Sequence, residues 1–486
     1  MARSLLSQWA DRGLIALSEI ADYSTSLGNP SLRLGVTGLS RSGKTVFITA
    51  LVHNLLNGGR LPLFDPLAEQ RILRCYLDPQ PDDAVPRFAY EDHVEALIGE
   101  DRRWPESTRR MSQLRLTIEY NPQHALSRRL GRNKLHIDIV DYPGEWLLDL
   151  PLMDMTYEQW SAQMIAASRR PASAPLAREW HTLLDARAPT QSADEPLAVK
   201  AAEAFRRYLI ACRHDDVALS FLPPGRFLMP GDLEGSPLLT FAPLEVPTEG
   251  APPKGSHWAL MARRYDAYVK QVVRPFFRDH FARLDRQIVL IDALAALNAG
   301  ADAVNDLSSA ISDVLSAFRH GAGNPLTSIL GRRIDRIMIA ATKADFLHHG
   351  NHDQLEAIAA RLVERAVEKA RFSGTQIDVS AMAAIRATRE AEIVEHGERL
   401  PCIVGIPQAG ERLGTEVFDG QREVAIFPGD LPDDPDQALA GHSEGAVRFI
   451  RFRPPVIDKS RWDLGPSFPH IRLDRVLNFL LADYLA

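Results

Sequence analysis

The stretch "RLGVTGLSRSGKTVFITALVHNLL" (33–56) decides how the rest of the chain is read. A β-prone run from Leu32 to Thr37 breaks into a loop, and a helical pattern starts almost at once behind it. Gly38, Gly43, Lys44 and Thr45 fit the spacing G-x-x-x-x-G-K-[ST]. Glycines at those places let successive backbone N–H groups turn inward around phosphate oxygens. The helix that follows aims its positive dipole end at the same anion. Gly38, Ser40, Arg41, Ser42, Gly43, Lys44, Thr45 and Val46 are therefore expected to wrap a triphosphate tail. Lys44 is expected on the β/γ phosphates and the Thr45 hydroxyl on Mg²⁺.

A phosphate loop calls for a magnesium carboxylate at the end of another buried strand. "KLHIDIVDYPGEW" (134–146) supplies one in Asp141, which opens a D-x-x-G run whose Gly144 N–H is placed for the γ-phosphate. Further on, "RIDRIMIAATKADFL" (333–347) ends a strand pattern in Thr342-Lys343-Ala344-Asp345, the [NT]-K-x-D arrangement. A carboxylate at 345 accepts from both guanine N1–H and the exocyclic amine, and adenine does not present that donor pair. The Lys343 stem lies along the base, and Thr342 stands where asparagine is more usual. "QIDVSAMAAIR" (376–386) then places Ser380-Ala381 where a backbone N–H meets guanine O6. With a strand at "RQIVLIDAL" (286–294) and an antiparallel one at "LRLTIEY" (114–120), the order predicts an α/β fold: a Ras-like P-loop NTPase domain with a mainly parallel sheet. Asp292, closing "IVLID", is the competing magnesium carboxylate and would suit an ATPase; its other role is to cap a helix from about Ala293.

At 486 residues the chain exceeds one compact core. The expected division is an N-terminal amphipathic helix in 1–30, a split Ras-like domain (31–150 and 286–400), an insertion (151–285) and a C-terminal α+β extension (401–486). Within the insertion, 157–214 reads as helices, 222–253 carries eight of the 33 prolines, and a helix over 257–285 returns to the core. The extension reads as short strands ("CIVGI", "EVAIF", "RFIRF") and a final helix with Ile471, Val476, Phe479 and Leu480 inward. A net charge of −7 argues against nucleic acid as a partner. Three distant cysteines suggest neither a disulfide framework nor a zinc site, which fits a reducing cytosol. No stretch is long and apolar enough to span a bilayer, and no secretion signal is read at the start. The expected location is cytoplasmic, at most peripheral at an inner membrane. Helix 3–22, with Leu5, Trp9, Ile15 and Ile20, has two readings: packing on its own domain, or docking on a membrane or membrane protein.

For hydrolysis, Glu145 directly follows D-x-x-G, where a water-orienting residue belongs; its alternative is a first-turn helix acid. Thr108 in "WPEST" is the candidate switch threonine on Mg²⁺, with Ser107 as its substitute. Arg41, Arg109 and Arg110 are the candidates for transition-state charge. In "HHGNHD" (348–353), His349 and His352 invite a metal reading, and Asp353 with Glu356 a capping box.

With these residues assembled, the chain resembles the YcjX-like family of bacterial P-loop GTPases. The likeness extends to "RWPEST" (103–108), "PGRFLMPGDLEGSPLLTFAPL" (224–244), "VVRPFFRDHFARLDRQIVLIDALAALNAG" (272–300), "AATKADFLHH" (340–349) and "PHIRLDRVLNFLLADYL" (469–485). The resemblance implies a cytoplasmic, stress-associated GTPase encoded beside a membrane protein; GTP or GDP with Mg²⁺ is the ligand the motifs themselves call for. Against this switch enzyme stand a nucleotide-gated binding module for a membrane-associated partner, with incidental hydrolysis, and an ATPase using Asp292. Oligomeric state is not legible.

Overall fold

Seven strands form one sheet: β1 (Ser31–Gly38), β2 (Ile72–Asp78), β3 (Ser112–Tyr120), β4 (Lys134–Asp141), β5 (Arg286–Ile291), β6 (Arg336–Ala341) and β7 (Gln376–Ala381), in the order β2-β3-β4-β1-β5-β6-β7. The computed structural model describes residues 29–38, 42–106, 110–123, 133–171, 173–185, 188–214, 222–247, 252–317, 334–371, 375–395, 398–442, 449–457 and 467–486. Of these, 213–214, 302, 313, 316–317, 365–371, 395, 398 and 441–442 are described by backbone alone. The N-terminal helix expected at 3–22 lies outside the described residues.

Five neighbouring strands, β4, β1, β5, β6 and β7, are parallel, and β3 pairs antiparallel with both β4 and β2. This is the Ras-like P-loop arrangement, with an added edge strand. That edge, "ILRCYLD", has weak alternation and remains half-exposed, so its pattern gives no clear strand signal. β5 is buried at all six positions, as a parallel strand covered on both faces must be. Its side chains alternate between layers. Ile288 and Leu290 join Leu34, Val36 and Ile137 against Phe47 and Leu51 of helix α1 (Lys44–Leu56). Val289 and Ile291 join Ile339 on the other face.

A large insertion follows β4. It runs from a 3₁₀ helix (Gly144–Asp154) through α2 (Tyr157–Ser168), α3 (Ala174–Asp185) and α4 (Glu195–His214) to α5 (His257–Tyr268). Trp160, Trp180, Phe205, Phe241, Tyr265 and Tyr268 build its own aromatic core. The helix expected over 257–285 is segmented: a π turn at Val269–Val273 interrupts it and a 3₁₀ turn at Phe281–Arg283 ends it. Past β5 come α6 (Ala293–Ala299) and α7 (Ala301–Ala317), and α8 (His352–Arg371) precedes β7.

A small sheet of β8 (Arg389–Glu395), β9 (Glu398–Gly405) and β10 (Val424–Ile426) straddles the expected boundary at 400–401, with β8 ahead of the C-terminal extension and β10 within it. "RFIRF" forms no strand among its described residues; Phe452 makes a single bridge to Pro407. The last helix, α9 (Leu473–Leu481), buries Leu473, Val476, Leu477, Leu480 and Leu481. Ile471 precedes it, and Phe479 is only partly buried, its ring beneath the Arg336 guanidinium at 5.5 Å. Arg286, at the amino end of β5, reaches Asp483 (2.7 Å) and the Leu480 carbonyl (3.3 Å), anchoring α9 at that end of the sheet. The carboxyl ends of the parallel strands remain for a site.

Candidate functional site

Gly38, Asp141, Ile291, Ala341 and Ala381 close β1, β4, β5, β6 and β7 at the sheet's carboxyl edge. Gly43 caps α1 with φ +85°, a left-handed conformation that favours glycine. At Gly38 an added Cβ would lie 2.2 Å from Ser42 Oγ and 2.8 Å from the Leu290 carbonyl oxygen, so the loop returns against its own strand. Lys44 Nζ donates to the Gly38 carbonyl at 3.1 Å, spanning the loop. Thr45 Oγ1 donates to the Glu106 carbonyl at 3.4 Å. Asp141 is 1% exposed and lies level with Val36 of β1. Ser40, Arg41 and Thr108 lie outside the described residues.

The start of α1 and the turns after β6 and β7 open onto a cavity of about 330 Å³, whose wall does not include Gly38 or Asp141. One part of its wall is Ser42, Gly43, Lys44, Thr45, Val46 and Phe47; another is Thr342, Lys343, Asp345 and Phe346. The two motifs, three hundred residues apart in sequence, thus face one space. Burial pushes the Asp345 carboxyl up to about 6, opposed chiefly by the Ala387 N–H that donates to it at 2.9 Å. Lys343 adopts a left-handed backbone (φ +64°) and its ammonium pairs with Asp292. The other Asp292 oxygen caps α6, accepting from the Ala295 N–H at 3.1 Å. The competing magnesium carboxylate is thus engaged as a cap and a lysine partner.

Ser380 and Ala381 are fully buried, and the Ala381 N–H donates to Glu356 at 3.1 Å. The cavity wall in this region is Ala383, Ala384 and Ile385, two to five residues further on. Glu356 serves Arg472 and Arg475 as well, at 2.8 and 3.0 Å, and Asp353 is the second residue of α8, not its cap, so the two form no capping box. Trp104, Pro105, Gln408, Arg451 and Phe452 complete the wall. Of these, only Trp104 and Pro105 sit beside a sequence signal, in "RWPEST"; the other three have no local motif.

Gly144 and Glu145 open the 3₁₀ helix and do not line the cavity; Glu145 is 5% exposed, a first-turn acid beneath the insertion. Gly225 packs so closely there that a Cβ would lie 1.8 Å from the Glu145 carbonyl oxygen. Asp149, four residues on, accepts from the N–H groups of Gly225 (2.6 Å) and Arg226 (3.3 Å) and from the Tyr268 hydroxyl (2.6 Å). Burial still pushes its carboxyl up to about 6. The Arg226 guanidinium lies 3.2 Å from the Trp146 ring centre. Among the described residues, His348, His349 and Glu390 bring three donor atoms within 4.8 Å. His349 Nδ1 is 2.7 Å from Glu390, whose other oxygen takes Arg386 at 3.0 Å, a hydrogen-bonded cluster; His352 is buried and not part of it.

Strand order, phosphate loop and cavity together define a Ras-like P-loop protein. More closely, the chain belongs to the YcjX-like family, DUF463, whose model matches residues 32–485. It is similar to a "Ras-like GTPase YcjX" of Escherichia coli (strain K12), 37% identical over 465 residues, covering 93% of this chain and 96% of that one. A protein of the same description from Shewanella oneidensis is 34% identical over 502 residues, covering 97% and 99%. No helix among the described residues is long and apolar enough to cross a membrane.

Proposed function

We propose that this chain binds guanine nucleotides with Mg²⁺ and hydrolyses GTP, working as a nucleotide switch. The carrying observation is the single cavity lined by Gly43-Lys44-Thr45 and by Thr342-Lys343-Asp345. Relatives described as Ras-like GTPases support the same reading. In it, Gly38, Ser40, Arg41, Ser42, Gly43, Lys44, Thr45 and Val46 hold the phosphates, with Gly144 reaching the γ-phosphate once the 3₁₀ helix it opens moves toward the cavity. Thr342, Lys343 and Asp345 hold the base, with Ser380-Ala381 behind the turn that reaches it. Thr45, Thr108 and Asp141 form an all-oxygen donor set suited to a hard cation. Mg²⁺ neutralises charge on the β and γ oxygens when bound. Lys44, Arg41 and Thr108 are the residues assigned to turnover, and Glu145, which lies off the cavity wall, joins them by the same movement of the 3₁₀ helix. The family resemblance adds a cytoplasmic setting, a bacterial stress response and a membrane-protein partner.

A thermal-unfolding series tests the ligand. GTP and GDP with Mg²⁺ are expected to raise the midpoint and ATP to leave it in place; greater protection by ATP overturns the reading. The burial of Glu145 and Asp149 against the insertion favours a second reading, a nucleotide-gated binding module. Glu145→Ala separates the two: it slows hydrolysis in the switch enzyme, and leaves a slow rate unchanged while a partner still requires GTP in the module.

A further inference from the structure

The part of the cavity wall that no nucleotide motif explains comes from the C-terminal extension, through Gln408, Arg451 and Phe452, and from Trp104 and Pro105. Phe452 is 1% exposed, and its ring meets Phe346, the residue after Asp345, edge-on at 5.8 Å between centres. The Phe452 carbonyl accepts from the Trp104 indole Nε1 at 2.7 Å and from Gln408 Nε2 at 3.3 Å. Behind the wall, Arg453 donates to the carbonyls of Arg102 (3.2 Å) and Gly420 (3.0 Å), and Arg102 Nε to that of Pro454 (3.4 Å). Main-chain bonds from Gln408 to Arg451 (2.8 Å) and from Arg453 to Ile406 (2.7 Å) fix the extension's side. At the other end of the same short run, the Glu106 carbonyl takes the Thr45 hydroxyl. Residues 102–106 are therefore strung between the C-terminal extension and the phosphate-loop threonine.

We propose that this strap, with Trp104 and Phe452 on the cavity, is a nucleoside-retaining wall that makes release of a bound nucleoside di- or triphosphate depend on the C-terminal extension. The inference rests on the cavity being the nucleotide site. Its chemistry suits the nucleoside end. Aromatic faces exclude water from a flat base and ribose, whereas phosphates need the N–H donors and ammonium gathered at 42–45. The wall also stands next to Phe346, on the base-reading side. Nearly all of its cross-links end on backbone carbonyls, so wall position depends on a few donors: the indole N–H, the Gln408 amide and the two guanidinium groups. Trp104 and Phe452 act on the ligand; Arg453 and Arg102 are positioning residues.

Stopped-flow release of a fluorescent GDP from the full chain tests this. Trp104→Phe removes the N–H donor and keeps a ring. Arg453→Ala cuts the rear bonds without lining the cavity. Each is expected to speed release roughly threefold to tenfold, the equivalent of one or two hydrogen bonds. Inorganic tripolyphosphate, used as a competitor, should bind both variants as it binds the parent, because the phosphate-loop donors are untouched. Unchanged release in both variants overturns the proposal, as does tripolyphosphate weakening in step with GDP, which would mean general loosening. If Arg453→Ala fails to fold, Arg102→Ala takes its place. Unchanged release together with loss of guanine preference in Asp345→Asn sinks the strap and leaves the nucleotide reading standing. A parent chain that binds no guanine nucleotide sinks both.

Discussion

Asp149 and Asp345 are the same residue type, both buried, both with a carboxyl raised to about 6 by burial. Their surroundings differ. Asp149 ties the 3₁₀ helix after D-x-x-G to two segments of the insertion through three donors. Asp345 accepts from Ala387 and lies on a cavity wall. A raised pKa alone does not separate a structural knot from a ligand-reading group. What separates them is whether the neighbours that accept or donate belong to the fold or leave room for something else.

The largest effect expected from this contrast is on stability at 149. Asp149→Ala strands two buried backbone N–H groups and the Tyr268 hydroxyl, at a cost of about 4 kcal/mol. Chemical denaturation of the full chain measures it. A loss under about 1 kcal/mol would mean that water or a neighbour replaces the carboxylate, and the contrast with 345 would fail.

Next comes base choice. Asp345→Asn keeps an oxygen for the Ala387 N–H and removes a buried charge, so stability should hold or rise slightly. Its amide meets the guanine amine donor to donor, and preference for GDP over ADP should drop roughly 100-fold, about 3 kcal/mol. Calorimetry with both nucleotides decides it. Retained preference would move base reading to Thr342 or to backbone groups near Ala383.

Acid should act on the two carboxyls in opposite senses for folding and for binding. In each, the ordinary value of 3.8 rises to about 6 in the fold, so the folded chain binds more protons between those values. Their contribution to stability is full below about 4 and is lost as pH rises through about 6, amounting to roughly 3 kcal/mol for each residue. Guanine donors favour the ionised form of Asp345. GDP affinity should therefore fall as pH drops below about 6, by at most about tenfold for each pH unit, with a proton released on binding. Titration in buffers of different ionisation heat reads that proton directly. Asp345→Asn should abolish the release; Asp149→Asn should keep it while flattening the stability profile.

Much of the core was legible because parallel strands with both faces covered read as apolar runs, and because each motif sits at a strand's carboxyl end. "IVLID", "RIMIAA" and "KLHIDIV" are local signals for a local structure. The edge strand Ile72–Asp78 was not legible: one half-exposed strand carries little pattern. Nor was the far wall of the cavity, since Phe452 meets Trp104 across 348 residues and Gln408 joins them only at the shared Phe452 carbonyl. The 380–385 turn shows a finer miss, because the N–H at Ala381 is taken by Glu356, a partner 25 positions away. Close approach at Gly225 is likewise a property of two segments, and no spacing within either reveals it.

The smallest expected effect sharpens the contrast most. Thr156 caps α2 with a reciprocal pair: its hydroxyl accepts from the Gln159 N–H at 3.2 Å, and the Gln159 carboxamide oxygen accepts from the Thr156 N–H at 2.9 Å. Thr156→Ala leaves helix-end N–H groups to water and should cost about 1 kcal/mol. Neither residue lines the cavity, so the cost belongs to the insertion alone. Denaturation should register it, and GDP affinity should stay within about twofold of the parent. If affinity moves further, the strain has crossed Asp149 and the 3₁₀ helix into the phosphate loop. The knot at 149 would then be a channel between insertion and nucleotide, and the two aspartates would belong to one coupled system.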